Sequence, residues 1–429
     1  MGPRNERVVP LGTLYLTSVL EKNGYTVDFR DYQLNKFENP YSIDSFLSFL
    51  KGSAKVIGIG CMFNLMPLVL LSLEKLKKDS PEKVVILGGP GPSGVPERIL
   101  ENFPSVNIIV RGEGEKTIVE LMDSLDGELS NVRGICYRKE DRVIINAPQK
   151  RIENLDEVPF PAYHRIDFQD YTRVGIMTSR GCPYHCTFCE VAPLWGNLNY
   201  KRSVQNVLDE LKVLRYKYKI KRICMNDDLF VLSKKRTLQF CRELREEDID
   251  LHWDCLGRID LMDEEIMDAL SRSGCDGIQY GIESGNDAIL KKINKGFTMA
   301  EAERVINKST KYFDHVVCTF IWGFPFETME DFYHTLFFIS KIGQKGARSK
   351  LMLLSPAPLS QIYREYGHLI RFSNELISDL VWKGYENWEK KKIVKMIKAY
   401  PEIFPDFYYY HSANLNEKRA LLKKGGLIV

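Results

Sequence analysis

A chain of 429 residues exceeds one ordinary globular unit, and about 150 residues per domain predicts two or three domains. Hydrophobic residues at 44% and charged residues at 27% suffice to bury a core and exclude disorder as the main state. Lys and Arg number 60 against 57 Asp and Glu, a net charge of +3 that excludes an electrostatic grip on nucleic acid.

The longest apolar runs, as within Asn64–Leu73, fall short of the roughly 20 residues a membrane-spanning helix needs. No apolar signal region follows Met1, so a cytoplasmic protein without a membrane span or structural disulfides is expected. In chain order, Leu11–Asn23 has helical apolar spacing and stops at Gly24, and Tyr25–Tyr32 alternates like a strand. Lys55–Met62, Lys83–Leu87 and Val106–Val110 are short apolar runs of the kind buried parallel strands have. Helical patterns at Asn64–Lys78, Pro96–Asn102 and Glu115–Leu125 alternate with them. This alternation predicts an α/β fold with a doubly wound, flavodoxin-like amino-terminal domain over residues 1–150.

Residues 151–170 include Pro159 and Pro161, lack periodicity and read as a linker. A second series then offers strands at Gly175–Ser179, Arg222–Asn226, His252–Leu256, Gly277–Gly281, Val316–Trp322 and Lys350–Leu354. Helices are expected between them at Ser203–Tyr218, Lys234–Glu246, Asp263–Ser271, Ala300–Thr310 and Met329–Ile342. Six such units over residues 171–360 predict a partial (β/α)6 barrel with its chemistry at the carboxyl ends of the strands. Residues 361–429, with helical stretches around Asn374–Trp382 and Glu386–Ala399, read as a small, mainly helical carboxyl-terminal region.

Seven of the ten cysteines are isolated in apolar or helical patterns and read as packing residues. The other three, Cys182, Cys186 and Cys189, crowd one loop in Ser179-Arg-Gly-Cys-Pro-Tyr-His-Cys-Thr-Phe-Cys-Glu190, just after the first strand of the second series. Three thiolates at C-x3-C-x2-C can turn toward one centre. A zinc site wants a fourth ligand, and His185 is awkwardly adjacent to Cys186. A [4Fe–4S] cluster held by three cysteines leaves one iron open to a small ligand.

This loop, with Phe188 before its last cysteine, resembles that of the radical S-adenosylmethionine (SAM) superfamily. The resemblance implies that SAM chelates the open iron and is cleaved reductively to a 5′-deoxyadenosyl radical. It extends to later strand ends: Asp228 in Met225–Phe230, Arg258 after the third strand, and Glu283 with Ser284 in Gly281-Ile-Glu-Ser-Gly285. Ile321-Trp-Gly-Phe-Pro-Phe-Glu-Thr328, with Gly323, resembles the segment that backs the adenine. The resemblance implies that Glu283 receives the SAM ammonium, and the Arg258 guanidinium suits a carboxylate.

Three glycine-bearing loops follow the amino-terminal strands: Gly58–Met62, Gly88–Gly94 with Gly89 and Ser93, and Arg111–Glu115 with Gly112 and Glu113. None is G-x-G-x-x-G opening a helix and no Walker lysine is present, which argues against NAD and ATP. Ahead of such a barrel these loops resemble the cobalamin-binding domain of the B12-dependent radical SAM family. Two departures are visible. The family's opening strand, which ends in Asn-Pro-Pro, is expected to be missing, and Pro356-Ala-Pro-Leu-Ser360 lacks the Gly-Thr often found after the sixth strand. The first of the seven histidines is His164, so cobalt without a histidine from residues 1–150 is expected, with Met62 or water nearby.

The resemblance implies a B12-dependent radical SAM enzyme that methylates an unactivated carbon. The alternatives are a cyclase or rearrangement catalyst of the anaerobic magnesium-protoporphyrin ester cyclase type and a non-catalytic cobalamin or redox sensor. The expected partners are a small-molecule, lipid or peptide substrate and an electron donor such as flavodoxin or ferredoxin.

Overall fold

A computed structural model describes residues 6–140, 142–376 and 389–425. Its two compact units are Met1–Thr172 with Leu380–Phe407, and Arg173–Asp379 with Tyr408–Val429. The stretch after residue 360 thus contributes to both.

In the first unit the apolar runs become β1 (Val56–Gly60), β2 (Val84–Gly88) and β3 (Ile108–Val110). They are parallel, with Val56 opposite Val84 and Ile86 opposite Ile108. An antiparallel hairpin, β4 (Ile135–Lys139) and β5 (Arg142–Ile145), completes a sheet in the order β1-β2-β3-β4-β5. The hairpin is not apparent from the sequence, because Arg138, Lys139 and Arg142 make the run look like a loop. Ile135, Cys136 and Tyr137 are buried on both faces of β4, and the charges gather at the turn, where Lys139 pairs in register with Arg142. Helices Leu11–Lys22, Met66–Asp79, Pro96–Asn102 and Gly114–Ser124 lie within two residues of their expected bounds. Val19, Ile86, Ile108, Ile118, Leu121 and Ile135 form the core among them.

Tyr25–Tyr32 forms no strand and ends in a 3-10 turn at Tyr32–Leu34. Alternation specifies a face, but a strand requires a neighbour for its N–H and C=O groups, and this segment pairs with no strand among the described residues. Helix Lys390–Ala399 belongs to this unit and lies against Met66–Asp79. Its expected first turn, residues 386–388, lies outside the described residues, as does most of the helical stretch expected at Asn374–Trp382.

The second unit holds β6 (Gly175–Ile176), β7 (Ser179–Arg180), β8 (Tyr200–Lys201), β9 (Arg222–Met225), β10 (His252–Gly257), β11 (Cys275–Glu283), β12 (His315–Trp322) and β13 (Arg348–Leu353). Strands β6, β9, β10, β11, β12 and β13 pair in chain order, every neighbour parallel. A doubly wound sheet reverses direction partway. Strands that never reverse, joined by right-handed crossovers, put every helix on one face, as in a β/α barrel. Helix Lys234–Glu246 falls at its expected bounds, and Thr298 and Thr328 open their helices with capping boxes to Glu301 and Asp331. The run Ser203–Tyr218 splits into an α-helix, Val204–Lys212, and a π-helical turn, Val213–Lys217. Helix Asp287–Lys292, capped by Asn286, was not expected.

Trp253 of β10 is fully buried, with its ring edge-on to Phe230 and Phe240 at 5.3 and 5.5 Å. Its indole N–H donates to the Ser273 carbonyl at 2.8 Å. Trp253→Ala is expected to cost ~3–5 kcal/mol in urea unfolding of this unit. A loss below about 1 kcal/mol would mean that the neighbouring rings collapse into the gap.

Candidate active site

The cysteine loop begins where β6 stops. The run expected to continue to Ser179 breaks after Ile176 because the next donors find a carboxylate instead of a strand. Asp227, 1% exposed, accepts the Thr178 N–H at 2.6 Å, the Ser179 N–H at 2.9 Å and the Thr178 hydroxyl. Asp228 accepts the Gly181 N–H at 2.9 Å. Gly181 has φ +94°, and a Cβ there would collide with the Leu198 carbonyl. Glycine is thus required immediately before Cys182. Further along, Thr187 N–H donates to Ile293 at 3.1 Å, and Asn294 reaches the His185 carbonyl at 3.0 Å.

Cys182, Cys186 and Cys189 are all partly exposed. Burial pushes the Cys182 thiol up and the Cys189 thiol up to about 12, and the neighbouring cysteines add to both shifts. Iron must therefore displace protons to bind. Among the described residues no three His, Cys, Asp or Glu side chains gather closely enough for a single metal ion. A lone ion needs its sulfurs at about 2.3 Å from one point. A cubane takes one thiolate at each of three separate irons, and a loop bearing three spaced thiols suits that chemistry.

Arg258, buried at the end of β10, joins this loop to its surroundings. Its guanidinium lies 3.7 Å from the Tyr184 ring centroid, directs Nη1 at Cys186 Sγ (3.8 Å), pairs through Nε with Asp260 (2.7 Å) and bonds the Lys295 carbonyl through Nη2. The group expected to grip a carboxylate is therefore engaged with protein partners in this structure. Lys295 Nζ lies 3.2 Å from Glu283 Oε1. Glu283 ends β11 at a register shift, with φ 72°. Burial raises its carboxyl pKa, while Lys295 and then Arg258 oppose the rise. Ser284 is buried, accepts the Asn286 N–H at 3.3 Å and lies 3.4 Å from the Thr335 hydroxyl. Gly323 donates its N–H to Glu327 at 2.9 Å. Next to it Phe324 lies 6.2 Å from Phe188, edge to face.

Contacts thus run from Cys186 through Arg258 and Lys295 to Glu283, and from Phe188 to Phe324 beside Gly323. Two residues in this arrangement escaped sequence reading. Lys295 sits in Lys291-Lys292-Ile-Asn-Lys295, which reads as a solvated charge run. Asp227 was eclipsed by its neighbour Asp228, although two adjacent acids at a strand end signal a backbone-binding role for one of them.

In the first unit the three glycine loops follow the carboxyl ends of adjacent parallel strands. Cys61 N–H donates to the Gly88 carbonyl at 2.9 Å and Gly91 N–H to the Cys61 carbonyl at 3.3 Å. Gly89, at φ +94°, permits that approach, since a Cβ would stand 2.9 Å from the Cys61 oxygen. Ser93 closes the short helix Pro90–Gly94 with its N–H on the Gly89 carbonyl at 3.2 Å. Space is open beside Gly58 and Gly112. Glu113 is buried, bonding Arg151 Nε at 2.8 Å and the Ile152 N–H at 2.9 Å. Met62 is 45% exposed, which leaves a soft thioether available at the end of β1. His164 pairs with Glu21 at 3.0 Å.

The profile of the Radical SAM superfamily matches residues 176–339, and that of the B12 binding domain matches residues 2–122. An uncharacterized methyltransferase of Pyrococcus horikoshii is 33% identical over 322 residues, covering 73% of this chain and 69% of that protein. The cytidylyl-2-hydroxyethylphosphonate methyltransferase of Streptomyces wedmorensis is 29% identical over 371 residues, 74% of this chain and 69% of its own length. The anaerobic magnesium-protoporphyrin IX monomethyl ester cyclase of Rubrivivax gelatinosus is 26% identical over 380 residues, 83% of this chain and 66% of its own. Among solved structures, the radical S-adenosylmethionine methyltransferase TsrM from Kitasatospora setae shares the fold. Its TM-score is 0.69 at 19% identity, over 84% of this chain and 72% of that one. The chain belongs to the radical SAM superfamily and carries a B12-binding domain ahead of its radical SAM domain.

The loop geometry generates a test. Gly181→Ala is expected to cost ~1–3 kcal/mol of backbone strain, and Asp227→Asn a similar ~1–3 kcal/mol by turning an amide donor toward backbone N–H groups. Both variants should take up less iron than the parent protein on anaerobic reconstitution. Full iron occupancy in both would show that the loop holds its shape without these anchors.

Proposed function

We propose that the protein is a cobalamin-dependent radical SAM methyltransferase acting on an unactivated carbon of a small-molecule, lipid or peptide substrate in the cytoplasm. A reduced flavodoxin or ferredoxin would serve as electron donor. No helix among the described residues is long and apolar enough to cross a membrane. In this reading residues 1–150 hold cobalamin, at Gly58, Met62, Gly88, Gly89, Ser93, Gly112 and Glu113. Residues 171–360 hold the cluster on Cys182, Cys186 and Cys189, and SAM against Phe188, Asp228, Arg258, Glu283, Ser284 and Gly323. The observation that carries it is the joining of a three-thiol loop to a buried carboxylate by Arg258 and Lys295.

When bound, the reduced cluster supplies the electron that cleaves SAM, and cobalamin supplies a methyl carrier. The protein's own residues set up that chemistry. Three thiolates leave one iron of four without a protein ligand. Arg258 holds the Cys186 end of the loop and places positive charge beside a thiolate. Glu283 is a dry carboxylate whose charge depends on a cation; Lys295 supplies one, and the SAM ammonium is a second that fits the same acceptor.

Replacing any of Cys182, Cys186 or Cys189 by Ala is expected to abolish the cluster absorbance and 5′-deoxyadenosine formation, while Cys224→Ala and Cys275→Ala leave both intact. Zinc without iron absorbance in the reconstituted parent would defeat the assignment. Glu283→Gln should keep its iron and lose about 1–3 kcal/mol of SAM affinity, and an unchanged affinity would remove Glu283 from the SAM site.

The cyclase reading has one observation in its favour: the Rubrivivax cyclase aligns with more of this chain than either methyltransferase does. Mass spectrometry of the product separates the two, since each methyl transfer adds one CH2 and a cyclisation does not. Formation of 5′-deoxyadenosine under dithionite excludes a purely sensory role.

A further inference from the structure

The helix Leu415–Lys424 lies outside the strand–helix series, yet it carries a fully buried cation. Neither Lys418 nor Glu327 has exposed side-chain surface. Lys418 Nζ donates to Glu327 Oε2 at 2.8 Å and to the Glu327 carbonyl at 2.7 Å. The same Oε2 accepts the Gly323 N–H at 2.9 Å, and Glu327 N–H returns to the Phe324 carbonyl at 3.1 Å. One carboxylate therefore closes the turn between Gly323 and Glu327, and one lysine ties that turn to a helix 91 residues further along the chain.

The turn is tied to the cysteine loop as well. Phe324 lies edge-on to Phe188 at 6.2 Å and stacks on Phe326 at 5.6 Å, and Phe188 directly precedes Cys189. A continuous set of contacts thus runs from Lys418 through Glu327 and Phe324 to the residue before a cluster cysteine.

The ion pair is not needed to attach the helix. Leu415 and Leu422 already pack with Trp322, Phe332 and Leu353, and an apolar pair of similar size is often no less stable than a buried ion pair. What the pair adds is direction, because Lys418 reaches two oxygens of one residue at one geometry. We propose that Lys418 is a positioning residue for SAM: through Glu327 it fixes the Gly323–Phe326 turn, and through Phe324 the ring of Phe188. The proposal rests on the radical SAM reading above.

The test compares the reconstituted parent protein with Lys418→Arg, Lys418→Met and the charge-neutral double variant Lys418→Met/Glu327→Gln. The double variant keeps an acceptor for the Gly323 N–H and removes only the tether to the helix. It should fold and hold iron as the parent does, but show a KM for SAM raised about tenfold with kcat within roughly threefold. Lys418→Arg should recover most of the lost affinity. In cluster-free protein, amide exchange over residues 323–328 should be faster in the double variant than in the parent. If Lys418→Met alone fails to fold because it strands a buried carboxylate, the double variant carries the test. A parental KM together with parental exchange in the double variant overturns the proposal. If the parent itself does not cleave SAM, the functional reading fails, while the exchange data still report on the tether.

Discussion

A carboxylate sealed from solvent, Asp227, diverts backbone donors that a longer β6 would have given to its neighbour strand. The strand ends there because the side chain offers a better-placed acceptor, and a carboxylate receiving several N–H bonds is worth more than neutral ladder bonds. The path of the cysteine loop follows from that diversion. The chain turns out at Gly181, where only a residue without a Cβ fits, and carries its three thiols away from the sheet.

The electrostatics around the loop follow one rule, that a dry charge keeps a partner. Glu283 is sealed and retains Lys295; Glu327 is sealed and retains Lys418. Arg258 meets sulfur, ring face, carboxylate and carbonyl together, which its planar fork permits and a lysine would not. The surroundings of the thiols thus contain two fixed cations, Arg258 and Lys295, suited to anionic sulfur and to carboxylates.

Most of this was legible in the sequence where physics is local. Apolar runs such as Val84–Gly88 and the periodic Lys234–Glu246 declare themselves, and C-x3-C-x2-C shows in the sequence as three thiols on one loop. Partners distant in the chain left no local trace. Tyr25–Tyr32 looks like a strand because alternation records a face, whereas pairing depends on a neighbour. Lys295 and Lys418 look like surface charges because nothing beside them in the chain shows the carboxylates they meet. The β4–β5 hairpin hid behind the charges at its turn.

The division of the carboxyl-terminal stretch has a consequence for how the chain can be cut. The backbone leaves the first unit at Thr172, belongs to it again at helix Lys390–Ala399 and departs once more at Phe407. Neither unit is one contiguous segment. A fragment ending at Thr172 would lack helix Lys390–Ala399 and uncover the side of Met66–Asp79 that it shields; a fragment starting at Arg173 would carry that helix as an orphan. Modular exchange of either unit with a relative therefore requires three junctions chosen together, and a one-junction chimera is malformed in both halves.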